Sequence, residues 1–480
     1  MGDSDPTRVH SAPSTDRAPG QLLVAGVLLA SVAAGVVGGW GGWLWIPVIL
    51  AGAGLLSLFF LAPRMIHLAF LMVLPFSVEV SAGSGLKIDF PTEVVVPILA
   101  AAVVIRILLT GKPTLVRSRL HLPVLVFALY TLLTFVNTKS PLVTAKAIIR
   151  DWAFILGGYA FAVLLVRNRR DLTRIWKGLL AASTLVALYG LITQLRQGIQ
   201  MYQEIAGPFF QTHSIYAMYL SFCLAAALGV TLCGPRKARW LLYTYVPLIG
   251  VALITTFTRG AWLGVIGALF FYLWVFRKRI PAGLLITGIL LLAVVPAVIV
   301  IQDLTTLFIE RFERFLDPGY STNFDRIDRW MSALAIWRDH PILGAGWGTY
   351  GDEYFRGYIY NRMSYASQFR MGAHNVHLEQ LADGGLIAAL LFLWVLGAYV
   401  AEARRIYGQT QGNVFCRTAL LASFGAVLSY VIHGQVNNLG PSDKVSVTFW
   451  FLLAIPAIVE RIYRKETTGG GRVETHRISG

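Results

Sequence analysis

Charge is scarce in this sequence. Asp, Glu, Lys and Arg make up only 14% of its 480 residues, against roughly a quarter in ordinary soluble domains, while 56% of residues are hydrophobic. That shortage excludes a water-soluble globular chain and leaves an integral membrane protein. Ten-residue segments of alternating hydrophobicity are missing, which excludes a transmembrane barrel and leaves helices. Cysteine is nearly absent: Cys223, Cys233 and Cys416 lie in or beside apolar runs, without metal-like or redox-like spacing, and read as packing residues. Carboxylates are outnumbered, 25 against 41 Lys and Arg, for a net charge of +16. The cations gather in short breaks between apolar runs, the pattern of membrane topology, so no nucleic-acid partner is expected. There is no internal repeat and no matching pair of broken helices, the features that would point to a transporter.

What is present is a series of apolar runs near or above the roughly 20 residues a spanning helix needs. Candidate spans fall at 21–38, 43–61, 65–78, 91–110, 121–137, 146–166, 174–195, 213–233, 241–257, 260–276, 281–301, 385–402, 416–433 and 446–460. The expected fold is all-α, a polytopic membrane helical bundle of 12 to 14 transmembrane helices with a long, partly helical outer loop. With the N-terminus in the cytoplasm, the basic breaks "GKPTLVRSR", "RNRRDLTR", "GPRKAR", "RKR", "EARR" and "RIYRK" all fall on one side. The chain then divides into a disordered cytoplasmic tail (1–20), membrane helices (21–301), an outer cap loop (302–384), further membrane helices (385–462) and a second disordered cytoplasmic tail (463–480). A loop of that length is too long for a passive link. Within it, "NFDRIDRWMSALAIWRDHP" puts Ile327, Trp330, Met331, Leu334 and Trp337 on one helix face and Asp325, Arg326, Asp328 and Arg329 on the other, so the helix can lie on the membrane surface.

"GWGTYG" (346–351) matches G-x-G-x-x-G, but no strand precedes it and no βαβ unit surrounds it, so it reads as a Gly-rich turn. "MGAHNVHLEQLADGG" (371–385) places His374, Asn375, His377 and Glu379 at the mouth of a span, in a helix that Gly384 and Gly385 interrupt. His374 and His377, three apart, would share a helix face. A zinc site there lacks the Glu and third ligand of known signatures. The remaining readings are an interface histidine without chemistry and acid/base work, for which imidazole is suited. "TTFTRGAWLG" (255–264) sets Arg259 at the outer ends of two spans. It reads either as a snorkelling side chain or, between Thr258 and Gly260, as a fork for a diphosphate. Lys146, Arg150, Arg196, Arg326, Arg329 and His213, at the outer edge, are with Asn375, His377 and Glu379 further candidates for substrate binding.

Three of these segments, "TRGAWLG", "RWMSALAIWRDHPILGAGWGTY" and "HNVHLEQLADGGLIAALL", resemble in that order the shared domain of the O-antigen ligases and the related O-antigen and exopolysaccharide polymerases, over about Gly207 to Val400. The resemblance implies an inverting, metal-independent glycosyltransferase without cofactors, in the bacterial inner membrane with its site facing the periplasm. Its implied partners are a glycan on undecaprenyl diphosphate and an acceptor, which is lipid A-core for a ligase or a lipid-linked glycan for a polymerase. His374 matches the histidine that deprotonates or orients the acceptor, and Arg259 matches the arginine that engages the donor's diphosphate. A second family arginine often precedes a G-x-F element; here Glu204 and Ile205 precede "AGPFF", and Arg196 stands as the substitute. The ligase pattern H-N, nine residues, G-x-x-G is met by His374, Asn375 and Gly385 but not by Ala388, while Arg196 and Gly207 have the R-x10-G spacing of polymerases. A transporter or flippase of the same lipid-linked glycan is the rival from another class.

Overall fold

The computed structural model describes residues 62–82, 86–90, 92–110, 117–198, 205–276, 321–360 and 372–470. The expected spans at 21–38, 43–61 and 281–301, the tail at 1–20 and the first part of the expected cap lie outside the described residues. The chain divides into two compact units, Met1–Ile66 with Ile98–Lys112, and His67–Pro97 with Pro113–Gly480. The first is described only over 62–66 and 98–110, where it is mainly helical. The second holds every site residue discussed below.

Each of the eleven expected spans that falls on described residues meets a helix. Three helices are short or of limited apolar length: α1 (Pro63–Val73), α2 (Thr92–Thr110) and α3 (His121–Leu133). Among the described residues eight more are long and apolar enough to cross a membrane: α4 (Pro141–Leu165), α5 (Arg169–Gln197), α6 (His213–Cys233), α7 (Arg236–Ile254), α8 (Arg259–Phe276), and, later in the chain, Val376–Gln409, Val414–His433 and Asp443–Gly470. Between α8 and these last three come α9 (Ser321–Asp339) and the single turn α10 (Tyr350–Glu353), so they are α11, α12 and α13. This is a helical membrane protein. One antiparallel hairpin, β1 (Val78–Ala82) with β2 (Leu86–Phe90), pairs Val80 with Ile88; the all-α expectation did not include it.

Local sequence starts the helices where polar side chains replace missing backbone partners. Asn168 accepts the Asp171 N–H (2.9 Å) ahead of α5, Thr212 accepts the Ile215 N–H (3.3 Å) ahead of α6, and Asn413 accepts the Cys416 N–H (3.1 Å) ahead of α12. Small residues then set how closely helices approach, since in lipid association depends on close packing and interhelical hydrogen bonds. A Cβ on Gly229 of α6 would strike the backbone of Ala422 on α12, and one on Gly264 of α8 would strike Ser429. Tyr272 of α8 ties the three together, its hydroxyl donating to the carbonyls of Ala225 (2.9 Å) and Leu421 (3.1 Å). The apolar stretch of α13 is wholly buried, which makes it the central helix.

The bundle has two chemically different ends. At one, α5, α7 and α12 finish while α6, α8, α11 and α13 begin. The Gln194 amide there donates to the Thr255 carbonyl (3.0 Å), and the Val376 N–H donates to the Gly434 carbonyl (2.8 Å). At the other, basic end, Arg169 pairs with Glu466 (2.9 Å) and the Thr418 hydroxyl donates to the Cys233 carbonyl (2.9 Å).

α9 divides into the two faces expected, and it turns the charged one inward. Asp328 and Arg329 are 1% and 4% exposed, whereas Ile327 is 44% exposed. Buried charge is tolerated where hydrogen bonds compensate it. The Tyr354 hydroxyl donates to Asp328 (2.5 Å), and the Arg329 guanidinium donates to the carbonyls of Asp325 (2.9 Å) and Gly372 (3.4 Å). Below them Ala333 and Ile336 pack with Ala345, Tyr350, Tyr354, Ala373 and Ala382 in a small apolar core.

The interruption at Gly384 and Gly385 is a kink within α11, with Gly385 at φ 68°. The backbone groups freed there are taken up by the Gly-rich turn. Leu386 N–H donates to the Pro341 carbonyl (2.9 Å), while Ala345 and Gly346 N–H donate to the carbonyls of Ala382 (2.9 Å) and Asp383 (3.0 Å). The Asp383 carboxylate accepts the N–H groups of Gly348 (3.0 Å) and Tyr350 (2.7 Å). "GWGTYG" is therefore a structural plug for a broken helix.

Candidate active site

Arg259 is the first residue of α8, at the positive end of that helix's dipole, where anions are favoured. The turn before it is tight: Phe257 adopts a left-handed φ of 52°, and Thr256 and Thr258 are buried. Next to Arg259, Gly260 lies so close to the end of α12 that a Cβ there would come within 2.6 Å of His433 and of Val436. The residues following His433 also anchor the start of α11, through Gly434 and through Asn438, whose amide donates to Glu379 (2.9 Å). The α12–α13 connection thus touches both the Arg259 turn and the His374 segment.

His374 stands two residues before α11 in a left-handed conformation, φ 51°. Such a backbone in a non-glycine residue costs on the order of 1–3 kcal/mol and persists only where its surroundings enforce it. Here the enforcement is visible. Glu379 accepts the Ala373 N–H (2.9 Å) with one carboxylate oxygen and the Asn438 amide with the other, and Asn375 caps the helix by accepting the N–H groups of His377 (3.0 Å) and Leu378 (3.1 Å). The expectation that His374 and His377 share a helix face is overturned. His374 precedes the helix, so the three-residue spacing does not apply, and His377 instead packs its ring against Phe392 at 5.8 Å between centroids.

Three cations and His374 share this end. Burial and the charges of Arg259 and Arg329 lower the Arg326 guanidinium to about 10, so it stays charged at neutral pH. Arg329 is lowered by burial, while Tyr350, Asp325, Tyr354 and Asp328 favour its charge. Burial drives the His374 imidazole down to about 3, and Arg329, Arg326 and His213 push the same way. His374 is therefore neutral across the physiological range, with a lone pair to accept a proton. His374 Nδ1 is buried and has no hydrogen-bond partner among the described residues. Arg326 links the two halves, since its charge is felt at His374 and it feels that of Arg259. A group carrying two or more negative charges relieves this mutual repulsion.

The other expected site residues sort by position. His213 opens α6 within electrostatic reach of His374. Arg150 is occupied by Asp151 (3.1 Å), whose other oxygen accepts the Trp347 indole N–H (2.8 Å). Lys146, one turn earlier, is exposed beside the Gly-rich turn, where Gly348 packs on Ala147. Arg196 is exposed at the end of α5, two residues from the Gln194 amide that reaches Thr255; no hydrogen bond or ion pair among the described residues joins it to the cluster. Sequence reasoning missed His433, Asn437 and Asn438. The signal was "HGQVNN", polar residues at the mouth of a span, the same signal that drew attention to His374.

Residues 244–393 match the family model described as O-antigen ligase. No curated protein matches the chain. The matched segment runs from within α7 to within α11 and includes Arg259, α9, the Gly-rich turn and His374, a narrower reach than the Gly207 to Val400 of the sequence resemblance. The chain carries the domain of the O-antigen ligase and polymerase superfamily.

Proposed function

We propose that this chain, as a carrier of the O-antigen ligase domain, transfers a glycan from undecaprenyl diphosphate to an acceptor sugar hydroxyl on the outer face of a bacterial inner membrane. One observation carries the reading: Arg259, Arg326 and Arg329 gather with a neutral His374 at one end of the bundle, inside the matched domain. The positive-inside pattern supports assigning the opposite, basic end and both termini to the cytoplasm. The described part of the expected cap, 321–360 and 372–384, then faces the periplasm over the sugar.

In the proposed reaction the acceptor oxygen attacks the anomeric carbon, and the bond from that carbon to the diphosphate oxygen breaks with its electron pair leaving on the diphosphate. The hydroxyl proton passes to a His374 nitrogen. Arg259 binds the diphosphate bidentately, and Arg326 and Arg329 stabilise the charge that grows as it departs, the role a metal ion plays in other transferases. Binding itself prepares the base. An anionic diphosphate offsets the positive field that holds the imidazole down, so His374 becomes more basic when substrate is present. Asn375 and Glu379 position the His374 loop, His377 supports the helix behind it, His213 lines the cluster, and Arg196, Lys146 and Arg150 lie outward along the donor's path.

The test incubates the purified chain with lipid-linked glycan and each acceptor and sizes the products. One added block on lipid A-core identifies a ligase, and a ladder on the lipid-linked glycan identifies a polymerase. Movement of lipid-linked glycan across vesicles with no new glycosidic bond would overturn the reading in favour of a transporter.

A further inference from the structure

We propose that a cavity at the basic end of the bundle, remote from His374, binds one anionic phospholipid. The cavity measures about 750 Å³ and lies among α5, α6, α12, α13 and the start of α7, within the roughly 300–1,000 Å³ of small-ligand sites. Arg169 and Lys237 stand at the basic end of its lining, Lys177 lies about two turns farther along α5, and no carboxylate among the described residues lines it. Lys177 and Lys237 are exposed, while Arg169 is held by Glu466 (2.9 Å) and stacked over Phe415 (4.6 Å). Its inner wall is apolar, built from residues such as Leu180, Phe222 and Leu452, with Ala226 and Ala227 leaving the space open.

Depth selects the ligand class. Along α5 the lining runs from Arg169 to Leu180, a rise of about 16 Å at 1.5 Å per residue, roughly half of the ~30 Å hydrocarbon core. Two cations at one end, a third partway down and an apolar wall one leaflet deep match a headgroup phosphate above an acyl chain. A soluble anion would gain nothing from the apolar depth, and an uncharged lipid nothing from the cations. Basic pockets between membrane helices bind anionic headgroups by this complementarity.

The full-length chain, purified in detergent, is titrated with phosphatidylglycerol and with phosphatidylcholine, and retained lipid is counted by native mass spectrometry. One phosphatidylglycerol per chain is expected, preferred over phosphatidylcholine, with each lysine contributing about fivefold. Lys177→Glu with Lys237→Glu abolishes the preference, and Ala226→Trp, which fills the cavity, removes retention. Arg404→Glu, a cation of the same end outside the cavity, and His374→Ala leave it intact, so this site and the proposed transfer reaction stand or fall separately. Equal retention of the two lipids by the wild-type chain, a preference that survives both lysine substitutions, or displacement of phosphatidylglycerol by undecaprenyl phosphate would each overturn the proposal. The wild-type comparison holds even where a variant fails to fold.

Discussion

The two ends of this bundle use arginine in opposite ways. At the basic end Arg405 reaches Glu402 (2.9 Å) and Glu460 (2.6 Å), and Arg464 reaches Glu460 (2.7 Å), so carboxylates buried at 0% and 2% exposure are neutralised within the fold. At the other end, among the described residues, Arg326 meets burial and the like charges of Arg259 and Arg329. The same side chain closes an ion network in one place and stands beside like charges in the other. A folded chain tolerates concentrated like charge where a function uses it, and the use proposed here is an anion that arrives with its own negative charge.

The contrast breaks most sharply at the base. His374→Ala is expected to lower transfer by about 10²–10⁴ while leaving the helices packed, checked by glycan transfer rate alongside thermal stability in detergent. Arg259→Ala is expected to lower it by about 10²–10³, with the loss also appearing in donor binding. Arg405→Met at the basic end should do the reverse, destabilising the fold by about 3 kcal/mol because Glu402 and Glu460 lose a partner, while activity per folded molecule holds. An Arg405→Met variant that keeps its stability but loses transfer would erase the distinction between the ends.

A pH series sharpens the comparison. His374 sits near 3 in the free protein against an ordinary value of about 6.5, so the unfolded chain binds more protons between those limits. Its contribution to stability is complete above pH 6.5 and is lost as pH falls toward 3. For activity, protonation of His374 should not depress kcat/KM between pH 7.5 and 5, since that ratio reports the free enzyme. The acid limb of kcat should lie higher, because bound diphosphate raises the imidazole. Arg326→Met should move the free-enzyme limb upward by removing one of the charges that hold His374 down. An unmoved limb would detach Arg326 from the base.

Much of this arrangement is legible in sequence, and what is not has physical causes. Apolar runs locate the helices because lipid demands satisfied backbones, and Arg259 and His374 stand out as polar residues at the mouths of such runs. A left-handed histidine leaves no mark, since nothing in "GAHNV" announces a positive φ where glycine is expected. The shared-face reading of His374 and His377 failed on that point. Asn375, read as a substrate contact, has its side-chain oxygen committed to two backbone N–H groups, a role its place ahead of "VHLEQL" also fits. The inward turn of the charged face of α9 depends on Tyr350, Tyr354 and Gly372, distant partners that periodicity within one helix does not reveal.

The smallest effect discriminates most finely, and it lies at Glu379. Its two oxygens hold Ala373 N–H and the Asn438 amide, both at 2.9 Å, and a Cβ on Gly372 would strike Asn438 and Glu379, so loop, carboxylate and amide fit together tightly. If Glu379 acts by geometry, Glu379→Gln keeps most activity, because the glutamine oxygen still accepts Ala373 N–H and its amide can donate to a rotated Asn438 carbonyl. A loss of only a few-fold is then expected, of the size of one hydrogen bond of about 1 kcal/mol. Glu379→Ala removes both bonds and frees His374 from its enforced backbone, so kcat should fall about a hundredfold with donor affinity nearly unchanged, since misplacing a reacting group costs about that much. Equal losses in the two variants would instead assign the effect to the negative charge facing the arginines, and Glu379 would belong to the electrostatics of the site and not to its frame.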